Sequence, residues 1–198
     1  MKKKRDNRAN KIIRNKKINK FIIIGVIVAI ALVIGLAVTT IKVPSKANAI
    51  APIDGIECNS MEQSIFHIHA HLDIFINGQN YTVPALIGIT NSCLYWLHTH
   101  DETGIIHIES PVNRTFSLGQ FFDIWKQKFS NNQIFNNTAN STIPLNIYVN
   151  GTKVPSGTNF KDIVLHAHDI IAIVYGKPPS TIPTKADFSS AELPAASG

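Results

Sequence analysis

Eight histidines carry most of the chemistry this sequence offers: His67, His69, His71, His98, His100, His107, His166 and His168. Seven of them fall in H-x-H patterns. On an extended strand, residues two apart share a face, roughly 7 Å apart at the backbone, so the rings of an H-x-H can tilt toward one ion. Neutral imidazole suits zinc, copper, iron and nickel. The stretch CLYWLHTHDETGIIHIES, residues 93–110, gathers three of these histidines. Asp101-Glu102-Thr103-Gly104 reads as a polar turn ending in the glycine a type I turn favours. Closing that turn sets His98 opposite His107, Thr99 opposite Ile106 and His100 opposite Ile105. One face then carries Trp96, His98, His100, Ile105, His107 and Glu109. The other carries Tyr95, Leu97, Thr99, Ile106, Ile108 and Ser110.

His98, His100 and His107 are therefore the first candidate metal ligands. His67, His69 and His71 are the second group, either completing the same site from a neighbouring strand or forming their own. Asp73, Asp101 and Glu109 are available as ligands or as acceptors that fix an imidazole tautomer. The row from His67 to His71 also reads as the solvated face of an amphipathic strand. His166 and His168 read as a degenerate copy whose Asp169 starts a turn.

The elements that must position these residues follow from the hydrophobic pattern. HIHAHLDIFIN (67–77) alternates strictly, as a half-buried strand does. Asn77-Gly78 is a strong hairpin signal, and the return strand runs from Gln79 to Val83. After Pro111 the period becomes helical. Leu118, Phe121, Phe122, Trp125 and Phe129 share a face, behind a capping box at Ser117 and Gln120. The spacing predicts one amphipathic helix over 118–129, packed on the apolar face of a sheet. An Asn-rich surface loop follows, then a second hairpin turning at Asn150-Gly151, then two short strands within 163–175. IFINGQNYTVP (74–84) is echoed by IYVNGTKVP (147–155), and LHTHD (97–101) by LHAHD (165–169). The expected fold is α+β: a mainly antiparallel sheet or small barrel of two similar β units, with one packed helix.

Charge and hydropathy place this domain. Nineteen Lys and Arg face thirteen Asp and Glu. Ten of the bases and one acid lie in residues 1–20, so the remainder holds nine bases against twelve acids, a net of −3. That distribution speaks against a nucleic-acid surface and for a basic flank to the uncharged run that starts at Phe21. Residues 21–41 are long enough for a single transmembrane helix, and the basic flank puts the N-terminus in the cytoplasm. The expected organisation is a cytoplasmic basic tail (1–20), the membrane helix (21–41), a linker (42–57), an extracytoplasmic His-rich β domain (58–176) and a Pro- and Ser-rich tail (177–198). Ala47-Asn48-Ala49 fits a signal-peptidase site, but the long apolar run favours an uncleaved anchor. Outside the cytoplasm the two cysteines, Cys58 and Cys93, are expected to form a disulfide. Five N-x-S/T tripeptides, the pair at Asn136 and Asn140 foremost, fit the same location.

The strings DGIECNSMEQ (54–63), HIHAHLDIFING (67–78), CLYWLHTHDETGIIHIESP (93–111) and FFDIW (121–125) resemble a family of membrane-anchored or secreted His-rich proteins of archaea and bacteria. The resemblance spans roughly residues 54–175. It implies an extracytoplasmic domain and no particular activity.

Three functions compete. One is a membrane-tethered metal-binding protein, copper or zinc, for sequestration, delivery or sensing, with Met61 and Cys58 nearby. The second is a zinc hydrolase or hydratase with a three-His site and Glu109 or Glu102 as base. The third is a metal-free accessory subunit with a protein partner in a membrane complex.

Overall fold

The computed structural model describes residues 50–189 and 191, together with 24, 26, 27 and 29–31. The chain divides into two units, Met1–Asn48 and Ala49–Gly198. The basic tail, most of the apolar run and the last seven residues lie outside the described residues. Those described near the N-terminus are helical. Among the described residues no helix is long and apolar enough to cross a membrane.

The second unit is built on a seven-stranded sheet. In chain order its elements are β1 (Cys58–Asn59), β2 (Phe66–Ile76), β3 (Gln79–Tyr81), β4 (Leu94–Tyr95), β5 (Leu97–His98), β6 (Ile105–Ser110), helix α1 (Leu118–Trp125), β7 (Phe129–Ser130), β8 (Gln133–Ile134), β9 (Asn137–Thr138), β10 (Leu145–Val149), β11 (Thr152–Lys153) and β12 (Ile170–Tyr175). The main sheet runs β11-β10-β12-β2-β6-β5, with β3 also on β2. It stays open from β11 to β5, so no barrel forms. All its pairings are antiparallel except β12 with β2.

Alternation in β2 sends Ala70, Leu72 and Ile74 into the core, and β6 adds Ile106 and Ile108. Helix α1 closes this core with Leu118, Phe121 and Phe122, all fully buried. Burying a side chain of this size contributes roughly 1.5–3 kcal/mol. The helix begins as expected: the Gln120 N–H donates to Ser117 Oγ, and the Ser117 N–H donates to Gln120 Oε1. It ends four residues before the predicted Phe129, because Lys126 turns left-handed at φ 61°. Phe129 starts β7 instead and still stacks on Phe122, with ring centroids 4.2 Å apart.

Other expectations need correcting. The Asn-rich stretch is not a loop but a small three-stranded sheet, β7-β8-β9. The strand read across Leu94–His100 breaks at Trp96. β4 pairs with β1 while β5 pairs with β6, and between them the Trp96 N–H donates to the Glu57 carbonyl. Residues 163–175 supply one strand and an isolated bridge from Val164 to Ser117. Part of the predicted linker belongs to the domain: Ile56 is fully buried, and the Tyr95 hydroxyl donates to the Ala51 carbonyl. The tail follows the domain as far as Phe188, whose ring lies 4.8 Å from His168.

The two echoed units are alike only in part. Both Asn-Gly hairpins form, with positive φ at Asn77, Gly78, Asn150 and Gly151 as a type I′ turn requires. In both, the strand after the H-x-H-D segment pairs antiparallel with the first hairpin strand, β6 with β2 and β12 with β10. The edges differ. β6 shares an edge of β2 with β3, whereas β12 takes the edge of β10 opposite β11.

Candidate metal centre

Strand β6 lies between β2 and β5, and this places the histidines. His107 is the register partner of His98 on one side and of His69 on the other. Glu109, two residues on, faces His67. The predicted pairing of His98 with His107 is observed, with Leu97 opposite Ile108, but β5 ends at His98, so the pairs expected for Thr99 with Ile106 and His100 with Ile105 are not part of the ladder. The hairpin turn holds through Asp101, whose Oδ1 accepts the Thr103 N–H at 3.0 Å. Gly104 completes the turn at φ +85°, where a Cβ would fall 2.6 Å from the Leu72 carbonyl oxygen.

Five imidazoles and one carboxylate converge. His67 Nε2 and His69 Nε2 are 3.0 Å apart, and His98 Nε2 and His100 Nε2 are 3.2 Å apart. Glu109 Oε1 lies 3.4 Å from His107 Nδ1, 3.5 Å from His67 Nε2 and 3.8 Å from His98 Nε2. Metal–ligand bonds of 2.0–2.2 Å in a tetrahedral site imply ligand atoms about 3.3–3.5 Å apart, so this spacing fits an ion. Two ligand sets form: His98, His100, His107 and Glu109; and His67, His69 and His107.

Burial and neighbours prepare these groups to bind. His98 and Glu109 are each 1 % exposed. The His98 Nδ1–H donates to the Tyr95 carbonyl at 2.8 Å, which leaves Nε2 with its lone pair facing the cluster. Burial pushes His98 down to about 4, against weaker upward pulls from Glu109 and the Tyr95 carbonyl. Burial, then the neighbouring His107 and His67, also take His69 to about 4. Burial alone would raise the Glu109 carboxyl, but His107, His98 and His67 outweigh it and hold it below its usual range. At neutral pH His98 and His69 are thus neutral imidazoles, and Glu109 is a carboxylate. Glu109 Oε1 and His107 Nδ1 are buried without a hydrogen-bonding partner in the protein.

The remaining predicted residues separate clearly. His71 stands outside both ligand sets. Its Nε2–H donates to the Thr103 carbonyl at 2.8 Å, and its Nδ1 lies 3.2 Å from Asp73 Oδ2. Burial lowers its pKa, but the Asp73 carboxylate and the Thr103 carbonyl outweigh that and raise it. His71 clasps the hairpin turn. His166 and His168 are exposed and belong to neither ligand set. Cys58 is bonded to Cys93 and so offers no thiolate, and Met61 is exposed.

Glu62 and Gln63 are the neighbours that sequence reasoning missed. Glu62 Oε1 lies 3.4 Å from His100 Nε2, and the Gln63 N–H donates to Glu109 Oε2 at 3.3 Å. The signal was the disulfide: pairing Cys58 with Cys93 brings the following residues back over the hairpin.

No protein-family model, no curated protein and no solved structure matches this chain.

Proposed function

We propose that this domain is a metal-binding module that takes up zinc or copper(II), held at the outer face of a membrane by the preceding apolar segment. One observation carries the reading: the buried Glu109 Oε1 faces His107, His98 and His67 with no hydrogen bond of its own. A buried carboxylate oxygen without a hydrogen bond is costly unless a cation lies beside it. The ligand atoms are nitrogen and oxygen, which favours zinc or copper(II) over copper(I). Sequestration, delivery or sensing are the roles we propose for it.

The test is elemental analysis of the full-length chain, purified without a His tag, loaded with zinc or copper and dialysed. Retained metal that disappears in His107→Ala supports the reading. A metal-free protein after both loadings overturns it.

A second reading is a zinc hydrolase. It is favoured by His100, whose side chain is 40 % exposed and faces Glu62. That side of the cluster is open to a water molecule. Glu109 belongs to the ligand set, so Glu62 would be the base at that side. Hydrolysis of an activated ester by the zinc form, lost in Glu62→Gln with metal retained, would favour this reading over storage.

A further inference from the structure

We propose that the cluster holds two transition-metal ions, one at each H-x-H pair, with His107 and Glu109 of the central strand between them. This rests on the metal-binding reading above and goes beyond it in number and arrangement.

The argument begins with a surplus of ligands. A zinc or copper ion of this type takes about four protein and solvent ligands. The cluster supplies six side chains: His67, His69, His98, His100, His107 and Glu109. Left without a metal, the buried His69, His98 and His107 would be polar groups gathered in one place, which costs stability.

The six are not arranged around one point. His67 with His69 on β2, and His98 with His100 at the end of β5, each close on a gap of 3.0–3.2 Å between their Nε2 atoms. Each pair is a two-toothed pincer. β6 separates the strands that carry them, and neighbouring strands stand roughly 4.8 Å apart. The pincers accordingly fall in different ligand sets, and the residue the two sets share is His107. Its ring is edge-on to His69 at 4.6 Å on one side and edge-on to His100 at 4.4 Å on the other. Glu109 Oε1 also reaches both ways, 3.5 Å from His67 Nε2 and 3.8 Å from His98 Nε2. Two cations flanking one carboxylate would otherwise repel each other strongly, and the negative charge between them offsets that repulsion.

The two sites are unequal. The ion at His98 and His100 has Glu109 in its ligand set and Glu62 at its solvent side. The ion at His67 and His69 has three imidazoles and depends on His107 more heavily. We therefore expect the pair at His98 and His100 to fill first.

Metal stoichiometry on the untagged full-length chain tests this, with copper(II) or zinc alone as the probe. The expected result is two ions per chain, falling to one in His67→Gln/His69→Gln and to one in His98→Gln/His100→Gln. Copper resonance on the unmutated protein gives a second readout that needs no variant. At two equivalents the signals of neighbouring copper(II) ions should be quenched or split by coupling. One ion per chain, lost in either double variant, overturns the two-ion arrangement and leaves the metal-binding function standing. Two ions with the spectrum of isolated copper overturn the shared centre. A chain that retains no metal overturns both this inference and the function it rests on.

Discussion

Leu97–Asp101 and Leu165–Asp169 spell nearly the same word, LHTHD and LHAHD, and the protein uses them for different ends. In the first, Leu97 and His98 form β5, His98 is buried against β6, and His100 reaches the same cluster. In the second, the chain turns. His168 adopts a left-handed backbone at φ 62°, and its N–H donates to the His69 carbonyl. Asp169 is buried and accepts the His166 N–H and the Asn150 side-chain amide, both at 2.9 Å. Asp101, by contrast, is exposed and caps a hairpin turn. The strand that follows decides the outcome. β6 brings His107 and Glu109, whereas every residue of β12 is apolar and buried. The first H-x-H therefore faces candidate ligands across the ladder, and the second faces none.

The largest effect should separate the two words directly. His98→Ala or His100→Ala should weaken metal binding by more than the roughly 10–100-fold that losing an outer-shell partner costs. His166→Ala and His168→Ala should leave it unchanged. Competition against a chromophoric chelator measures all four. An equal loss in the second pair would end the distinction.

Next in size is the brace beside the first word. Cys58–Cys93 closes a 35-residue span just ahead of Leu97 and anchors the segment that presents Glu62 and Gln63. Replacing both cysteines by serine should cost about 3–4 kcal/mol on the loop-entropy account. Chemical denaturation of the metal-free protein reads this cost. Metal affinity should fall as well, since the Gln63 N–H would no longer hold Glu109 in place.

These contrasts show what the sequence made legible. Period-two alternation was enough to place His67, His69, His98, His100, His107 and Glu109 on sheet faces, and the Asp101–Gly104 turn set the register of β5 on β6. The neighbour relation between β2 and β6 was not legible, because pairing of distant strands leaves no local signature. That relation merges the two histidine rows. His71 shows the limit from the other side. Its spacing equals that of His69, yet β2 pairs it with Ile105 and the Thr103 carbonyl captures its ring. The break at Trp96 was equally hidden, being set by contacts to residues before Cys58: the Trp96 N–H donates to the Glu57 carbonyl.

Acid should weaken the metal-free first region through its buried rings. His98 and His69 sit at about 4 when folded and near 6.5 when unfolded. Between these values the unfolded chain binds protons that the folded one does not, so stability falls as pH drops through that window and levels off below it. His71, with a raised pKa, works in the opposite direction over its own range. Denaturation midpoints measured from pH 6.5 down to 4 should decline in the parent. The decline should be shallower in His98→Gln. A flat profile in the parent would contradict the burial of these rings.

The smallest effect tests what holds the first word in place. Its middle residue is Thr99, fully buried, where the second word has an exposed Ala167. The Thr99 hydroxyl donates to the Pro84 carbonyl at 2.8 Å and accepts the Ile87 N–H at 3.1 Å. Its own N–H donates to the Ile87 carbonyl, and its carbonyl accepts the Leu86 N–H. These bonds stitch the end of β5 to the loop after Pro84 and keep His98 and His100 on one face. Thr99→Ala removes the hydroxyl and strands a buried donor and a carbonyl, at a cost of about 1–3 kcal/mol. Thr99→Ser keeps the hydroxyl and should recover most of that. Ala167→Thr places a hydroxyl on an exposed turn and should change stability by no more than about 0.5 kcal/mol. If Thr99→Ala were as mild as Ala167→Thr, the strand would owe its place to β6 alone, and the difference between the two words would lie wholly in the strand that follows.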